Sequence, residues 1–196
     1  MWLAAPAAVA AALAYALAPS APSDLERARM LAELEVHAGA RSAARRWLET
    51  HPLDVEAHRI AVDEHLQSGS RTRGRRGEPT DDLLVAEYTA LAAGDAAVER
   101  AIGHRALGAF ALDARDAADS ELHFVAALAE APDDDLRLDL VEARLVAGRL
   151  EGQGAVLASL SGCRARSLAL VLAQAAGRAE NMFDDPATRA CVAPTH

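Results

Sequence analysis

The phrase Thr50-His51-Pro52-Leu53-Asp54-Val55-Glu56-Ala57-His58 returns in kind as Glu130-Ala131-Pro132-Asp133-Asp134-Asp135-Leu136-Arg137-Leu138. Each reads as a helix end, a proline, an acidic helix start and then an amphipathic helix. Proline just past a helix end forbids its continuation, and aspartate in a first turn complements the positive end of the helix macrodipole. A chain that reuses this punctuation is built from helix-turn-helix units, which constrains its fold more tightly than any single motif does.

Composition points the same way. Apolar residues make up 52 % of the 196 residues and aromatics only 4 %, so the core is built mostly from Ala, Leu and Val. Ala and Leu are the best helix formers, and β-branched runs are nearly absent, so the expected class is all-α. The length suits one ordinary domain or an elongated array. Periodicity and breakers predict helices at about 23–38, 41–50, 54–68, 80–93, 95–112, 115–130, 133–147, 149–161 and 164–177, and no segment alternates as a strand does. Ser23-Asp24-Leu25-Glu26 has the form of a capping box, which starts the first of these helices. Upstream, Pro19-Ser20-Ala21-Pro22 cannot carry a helix forward. Residues 1–22 are therefore a separate apolar segment with a linker, residues 23–178 the helical domain, and residues 179–196 an irregular tail.

At these residues the chain resembles the tetratricopeptide repeat, a helical hairpin of about 34 residues with the pattern W-x2-L-G-x2-Y, A-x3-F, P. Reading back from Pro132, His104 stands for the Trp, Leu107-Gly108 for the L-G and Ala111 for the Tyr. Ser120 stands for the small Ala and Phe124 for the Phe, and Ala127 and Pro132 close the unit; five of the eight match in kind or better. Leu140-Val141-Glu142-Ala143 with Gly148-Arg149-Leu150-Glu151 resembles a following unit, and Ala32 to Pro52 a shortened one at the front. The missing Trp and Tyr, an irregular period and a turn enlarged by Arg71-Thr72-Arg73-Gly74-Arg75-Arg76-Gly77 depart from the pattern. The resemblance implies a right-handed α-solenoid of antiparallel hairpins, a protein-binding scaffold rather than an enzyme, whose groove is lined by the first helix of each hairpin. By that analogy Arg59, Glu99, Arg100, Arg137 and Arg144 are candidate partner-binding residues.

The chemistry in the sequence is sparse. All 20 basic residues are Arg, so a Schiff-base lysine and a P-loop lysine are both excluded. A net charge of −9 with few aromatics argues against nucleic acid. His58 and His65 share a helix face but lie about 10 Å apart along its axis, which favours packing or groove lining over a shared metal ion. Arg71, Arg73, Arg75 and Arg76 form either a solvated turn or a dock for an acidic partner or anionic headgroups. No nucleophile elbow is present, and Gly152-Gln153-Gly154 follows no strand. The expectation is no catalytic, cofactor or metal site. Cys163 and Cys191 either pair, if the compartment is oxidising, or stay as small unpaired residues.

Location rests on Trp2 to Ala18. These 17 residues span about 26 Å as a helix against a hydrocarbon core of about 30 Å, and ten of them are Ala. The segment is a single-pass anchor carried by Trp2, Leu3, Val9, Leu13, Tyr15 and Leu17, or a removed signal. The charges around it are few and, taken literally, would leave the repeats in the cytoplasm; against this, a single N-terminal span with an exported repeat domain is a familiar bacterial architecture, and an exported, periplasmic domain is favoured. The resulting expectation is a membrane-anchored accessory or assembly subunit of a membrane complex, such as an electron-transfer or photosynthetic one, with protein partners. The alternatives are a soluble exported assembly factor or chaperone, as in cytochrome c maturation, and a subunit of an enzyme whose site a partner completes.

Overall fold

The computed structural model describes residues 22–67, 80–177 and Cys191. Among these residues all regular structure is α-helical: α1 (Asp24–Glu33), α2 (His37–Leu48), α3 (Val55–Gln67), α4 (Asp81–Ala92), α5 (Ala97–Asp113), α6 (Ala117–Glu130), α7 (Asp134–Val146), α8 (Gln153–Ala158) and α9 (Cys163–Ala175). Residues 1–21, 68–79 and the tail apart from residues 177 and below and Cys191 lie outside this description, so the anchor residues Trp2 to Leu17 and the arginines Arg71, Arg73, Arg75 and Arg76 receive no structural account. Among the described residues no helix is long and apolar enough to cross a membrane.

Local chemistry sets most of the ends. Ser23 Oγ accepts from the Glu26 amide at 3.2 Å while Glu26 Oε2 accepts from the Ser23 amide at 2.8 Å, so the capping box forms. After Pro52, Asp54 takes the Ala57 amide at 2.9 Å on one oxygen and the Trp47 indole N–H at 2.8 Å on the other. Burial pushes the Asp54 carboxyl up, but these hydrogen bonds outweigh it and hold its pKa below the usual value. After Pro132, Asp133 accepts from the Asp135 amide at 3.2 Å in the same role. The recurrent Pro-acid phrase is thus a pair of aspartate-capped helix starts.

Two boundaries differ from those predicted. The first helix stops at Glu33 because Glu35 turns left-handed (φ 56°) and the Val36 amide closes back on Leu31 O at 2.8 Å. Gly39 therefore sits inside α2, where a Cβ would come within 3.2 Å of Leu31 and 3.3 Å of Val36; it permits close approach rather than ending a helix. The helix predicted at 149–161 shrinks to α8, since Gly148 (φ 73°) and Gly152 (φ 76°) turn the chain twice before it begins.

Helices adjacent in sequence pack together from α1 to α3 and again from α4 to α9. In addition the backbones of α1 and α3, α3 and α5, α5 and α7, and α7 and α9 come close, whereas the described contact between even-numbered helices is one of side chains, Arg45 of α2 with Glu87 of α4 at 3.6 Å. The core accordingly comes as local clusters. Ala28, Ala40, Ala43, Ala44 and Ala61 with Ile60 join α1 to α3, and Leu138, Val141, Leu157, Ala165 and Leu168 join α7 to α9. Small side chains let the backbones approach, which replaces the aromatic bulk the chain lacks. The α3–α4 pair is the exception: its backbones stay apart and side chains bridge them, His65 Nε2 to Asp81 Oδ1 at 2.6 Å and His58 Nδ1 to Tyr88 Oη at 3.3 Å, around a cluster of Val62, Leu84 and Tyr88.

Cys163 at the start of α9 is disulfide-bonded to Cys191, which tethers the tail to the last helix pair. The bridge closes a loop of 28 residues, worth at most about 3.5 kcal/mol by loop-closure entropy. Intact mass after iodoacetamide treatment of the denatured chain should show no added carbamidomethyl group without reductant and two with it. Two groups without reductant would show the thiols free.

Candidate functional site

Along α3 the residues Val55, His58, Arg59, Val62, Asp63 and Leu66 recur at helical three- and four-residue spacing and face one side. The α5 stripe Val98, Ile102, Arg105, Ala109 and Leu112 has the same phase, and Leu136, Asp139, Glu142 and Val146 continue it on α7. With Arg164 from α9 they line one groove of about 960 Å³ that runs across the odd-numbered helices. Its walls are aliphatic, and its floor carries charge.

That charge is ordered. Arg59 reaches Asp135 at 3.2 Å. Arg105 bridges Asp133 at 3.1 Å and Asp139 at 2.9 Å, and Arg164 bridges Asp139 at 2.6 Å and Glu142 at 2.8 Å. Burial opposes the Arg164 charge, but Asp139 and Glu142 outweigh it and hold the guanidinium above its usual pKa. Asp63 lies among these groups with no ion pair to a described residue. Its side chain is exposed to solvent, although the groove walls flank it. Burial first, and then the neighbouring Asp139, push its carboxyl up to about 6, against the opposing pull of Arg59, Arg105 and Arg164.

A carboxylate with a raised folded-state pKa costs stability once ionised: the penalty is absent below its unfolded value near 3.8, grows as pH rises above that and is complete above about 6. Because the group touches solvent, the penalty is discounted to about 1 kcal/mol. Asp63→Asn should therefore raise the urea-unfolding free energy by about 1 kcal/mol at pH 7.5 and leave it unchanged at pH 4. An equal gain at both pH values would place the cause elsewhere.

Of the residues singled out from sequence, Arg59 lines this groove and four others lie outside its lining. Glu99 accepts the Ala96 amide at 3.1 Å and caps α5. Arg100 grips Glu130 at 2.9 and 2.7 Å and the carbonyls of Gly94 and Asp95, tying the α4–α5 turn to the end of α6. Arg137 pairs with Asp134 one turn away, and Arg144 shares Glu121 with Arg149 across the α6–α7 hairpin. Asp63, Arg105, Asp139, Glu142 and Arg164 went unnoticed. The signal that finds them is register: each stands beside its helix's apolar stripe on the same side.

The histidines hold helices together. His58 Nε2 meets Pro52 O at 2.9 Å, and burial lowers its pKa, so the ring is neutral near pH 7. His104 and His123 bond through their Nδ1 atoms at 3.0 Å between α5 and α6. Among the described residues no group of three or more His, Cys, Asp or Glu is placed to hold a metal ion. Among the described groove residues Asp63 and Arg115 have no ion pair, and Asp63, set between aliphatic walls, can take a cation or a proton. No protein-family model, curated protein or solved structure matches this chain.

Proposed function

We propose that residues 23–178 form a tetratricopeptide-like, right-handed solenoid, and that the chain is a protein–protein interaction scaffold. In this reading α1, α3, α5, α7 and α9 are the first helices of successive hairpins, and a partner's segment lies in the groove across α3 to α9. One observation carries it: among the described residues, close backbone approaches that skip a helix occur only between odd-numbered helices, and the groove runs along α3, α5, α7 and α9 of that row. Backbone packing limited to near neighbours, with one extended concave face, is the signature of a repeat array, and the Arg59–Asp135 pair reaches across that face from α3 to α7. Residues 2–18 would hold the scaffold at a membrane as an accessory or assembly subunit of a complex there.

The Cys163–Cys191 bridge favours an exported, periplasmic domain, because disulfides persist in oxidising compartments. A soluble exported assembly factor shares that support and differs only in losing the N-terminal segment. The enzyme-subunit reading draws on Asp63, since a cleft carboxyl with a pKa near 6 suits proton transfer.

The test fills the groove. Ala109 is half-buried on its wall, at the edge of the Val62–Tyr88 cluster, so a Trp side chain there fills the groove. Proteins co-purified from source membranes with the parent chain should be lost with Ala109→Trp while the circular dichroism melt stays unchanged. Recovery of the same proteins by both chains would end the groove reading. Fractionation separates the two locations: intact mass including Met1 in the membrane pellet supports the anchor, and a soluble mature N-terminus near residue 21 removes it.

A further inference from the structure

Every guanidinium bridging the groove floor already has its counterion, and one carboxylate does not. Arg59, Arg105 and Arg164 face Asp135, Asp133, Asp139 and Glu142 in a chain of ion pairs. The groove lining holds five carboxylates, Asp63, Asp113, Asp133, Asp139 and Glu142, against four guanidiniums, Arg59, Arg105, Arg115 and Arg164, leaving one negative charge, and Asp139 repels Asp63. The groups acting on Asp63 come from each wall: Arg59 on its own helix, Arg105 on α5, Asp139 on α7 and Arg164 on α9. The ionisable α3 neighbours Glu56, Glu64 and His65 point instead to Arg29, His37 and Asp81 on α1, α2 and α4. The site is short of one cation.

The rest of the groove indicates what carries that cation. Val55 at the start of α3 is 45 % exposed and Val146 at the end of α7 is 56 % exposed, and both line it. An occupant that pairs with Asp63 thus meets uncovered aliphatic surface on both sides of the charge. The cavity of about 960 Å³ is at the upper limit for small-molecule sites and open along its length, as suits a peptide laid across helices.

We propose that the groove binds a peptide segment presenting one basic side chain, arginine or lysine, to Asp63, with apolar side chains on either side of it. This rests on the groove being the partner-binding surface. The bound cation completes the ion-pair chain from Arg59 to Arg164 and takes the place of the proton that Asp63 otherwise attracts. A charge-assisted hydrogen bond in such a setting is stronger than a neutral one, so its loss should weaken binding at least about tenfold.

Random 12-residue peptides displayed on phage, selected against the full chain in detergent, test this. Enriched sequences should carry one Arg or Lys between apolar residues and be blocked by Ala109→Trp. A synthetic peptide from that set should bind Asp63→Asn at least about tenfold more weakly, and replacing its basic residue with Gln should cost the parent chain as much. Combining the two changes should cost no more than either alone, since a coupled pair is lost only once. Asp63→Glu should recover part of the affinity. Peptides that Ala109→Trp blocks but that lack a basic residue, or that bind Asp63→Asn as well as the parent, overturn the charge inference and leave the scaffold standing. If no peptide is blocked by Ala109→Trp, both readings fail.

Discussion

Gly103→Val should unfold the α4–α5 hairpin, with a loss of at least about 4 kcal/mol, and Gly103→Ala should cost about 3 kcal/mol. A Cβ at position 103 would fall 2.1 Å from the Ala92 amide nitrogen, 2.6 Å from Ala92 Cα and 2.6 Å from Tyr88 O. All three are backbone atoms, so no side-chain rotation relieves the clash and the helices must separate. Separation pulls Tyr88 and Leu84 away from Ile102 and Ala106, the cluster that also bridges α3. The roughly 1 kcal/mol by which Ala exceeds Gly in helix propensity does not offset this. Gly154→Ala is the control, because its Cβ would meet only Leu172 Cδ2 at 3.7 Å, an ordinary contact. Urea titration followed by circular dichroism reads both. A parent-like midpoint for Gly103→Ala would mean that α4 and α5 do not meet at Ala92.

The second large effect is Phe124→Ala, expected to cost about 3–5 kcal/mol. Phe124 is 1 % exposed, packs with Leu136, Leu140 and Ala143, and lies flat enough on Gly108 that a Cβ there would come within 2.6 Å of the ring. The ring is the largest apolar group joining α5, α6 and α7, and its edge also closes part of the groove. Truncation leaves a cavity that the surrounding helices fill only in part. Phe124→Leu should cost less than half as much. Gly108→Ala should destabilise the parent but not the Phe124→Leu chain, because the clash is with the ring; calorimetry of the four chains reads that coupling. Additive costs would separate the two positions.

The helix starts at Ser23, Asp54 and Asp133 were legible because each is written in adjacent residues: a side-chain oxygen, the amide it captures and a proline or linker before it. Gly108 was legible as a small residue allowing close helix approach and Phe124 as a large gap-filling one; that the ring lies against Gly108 itself was not written in the pattern. Gly39 misled because a glycine at a helix end and a glycine at a helix crossing look alike in one dimension. The lining of the groove was not legible for a related reason. Arg59, Arg137 and Arg144 are alike as charged helix positions, and only the relative rotation of α3, α5 and α7 decides which charge faces in. Rotation is set by contacts between distant residues such as Arg105 and Asp133, which no local pattern records.

The described ion pairs between α1 and α3, α5 and α7, α6 and α7, and α7 and α9 all use guanidinium groups: Arg29 with Glu56, Arg105 with Asp139, Arg144 with Glu121 and Arg164 with Glu142. A guanidinium keeps its proton far beyond the range in which an ammonium gives it up. Alkali up to about pH 11 therefore removes none of these ties. Acid acts differently. Arg29 and Arg100 hold the Glu56 and Glu130 carboxyls below the usual value, so the stability they add is present above the unfolded glutamate pKa and is lost as pH falls through the depressed one. The chain's tolerance of pH is lopsided: it withstands a caustic wash that would loosen a lysine-built relative, and it comes apart from the acid side, one carboxylate at a time.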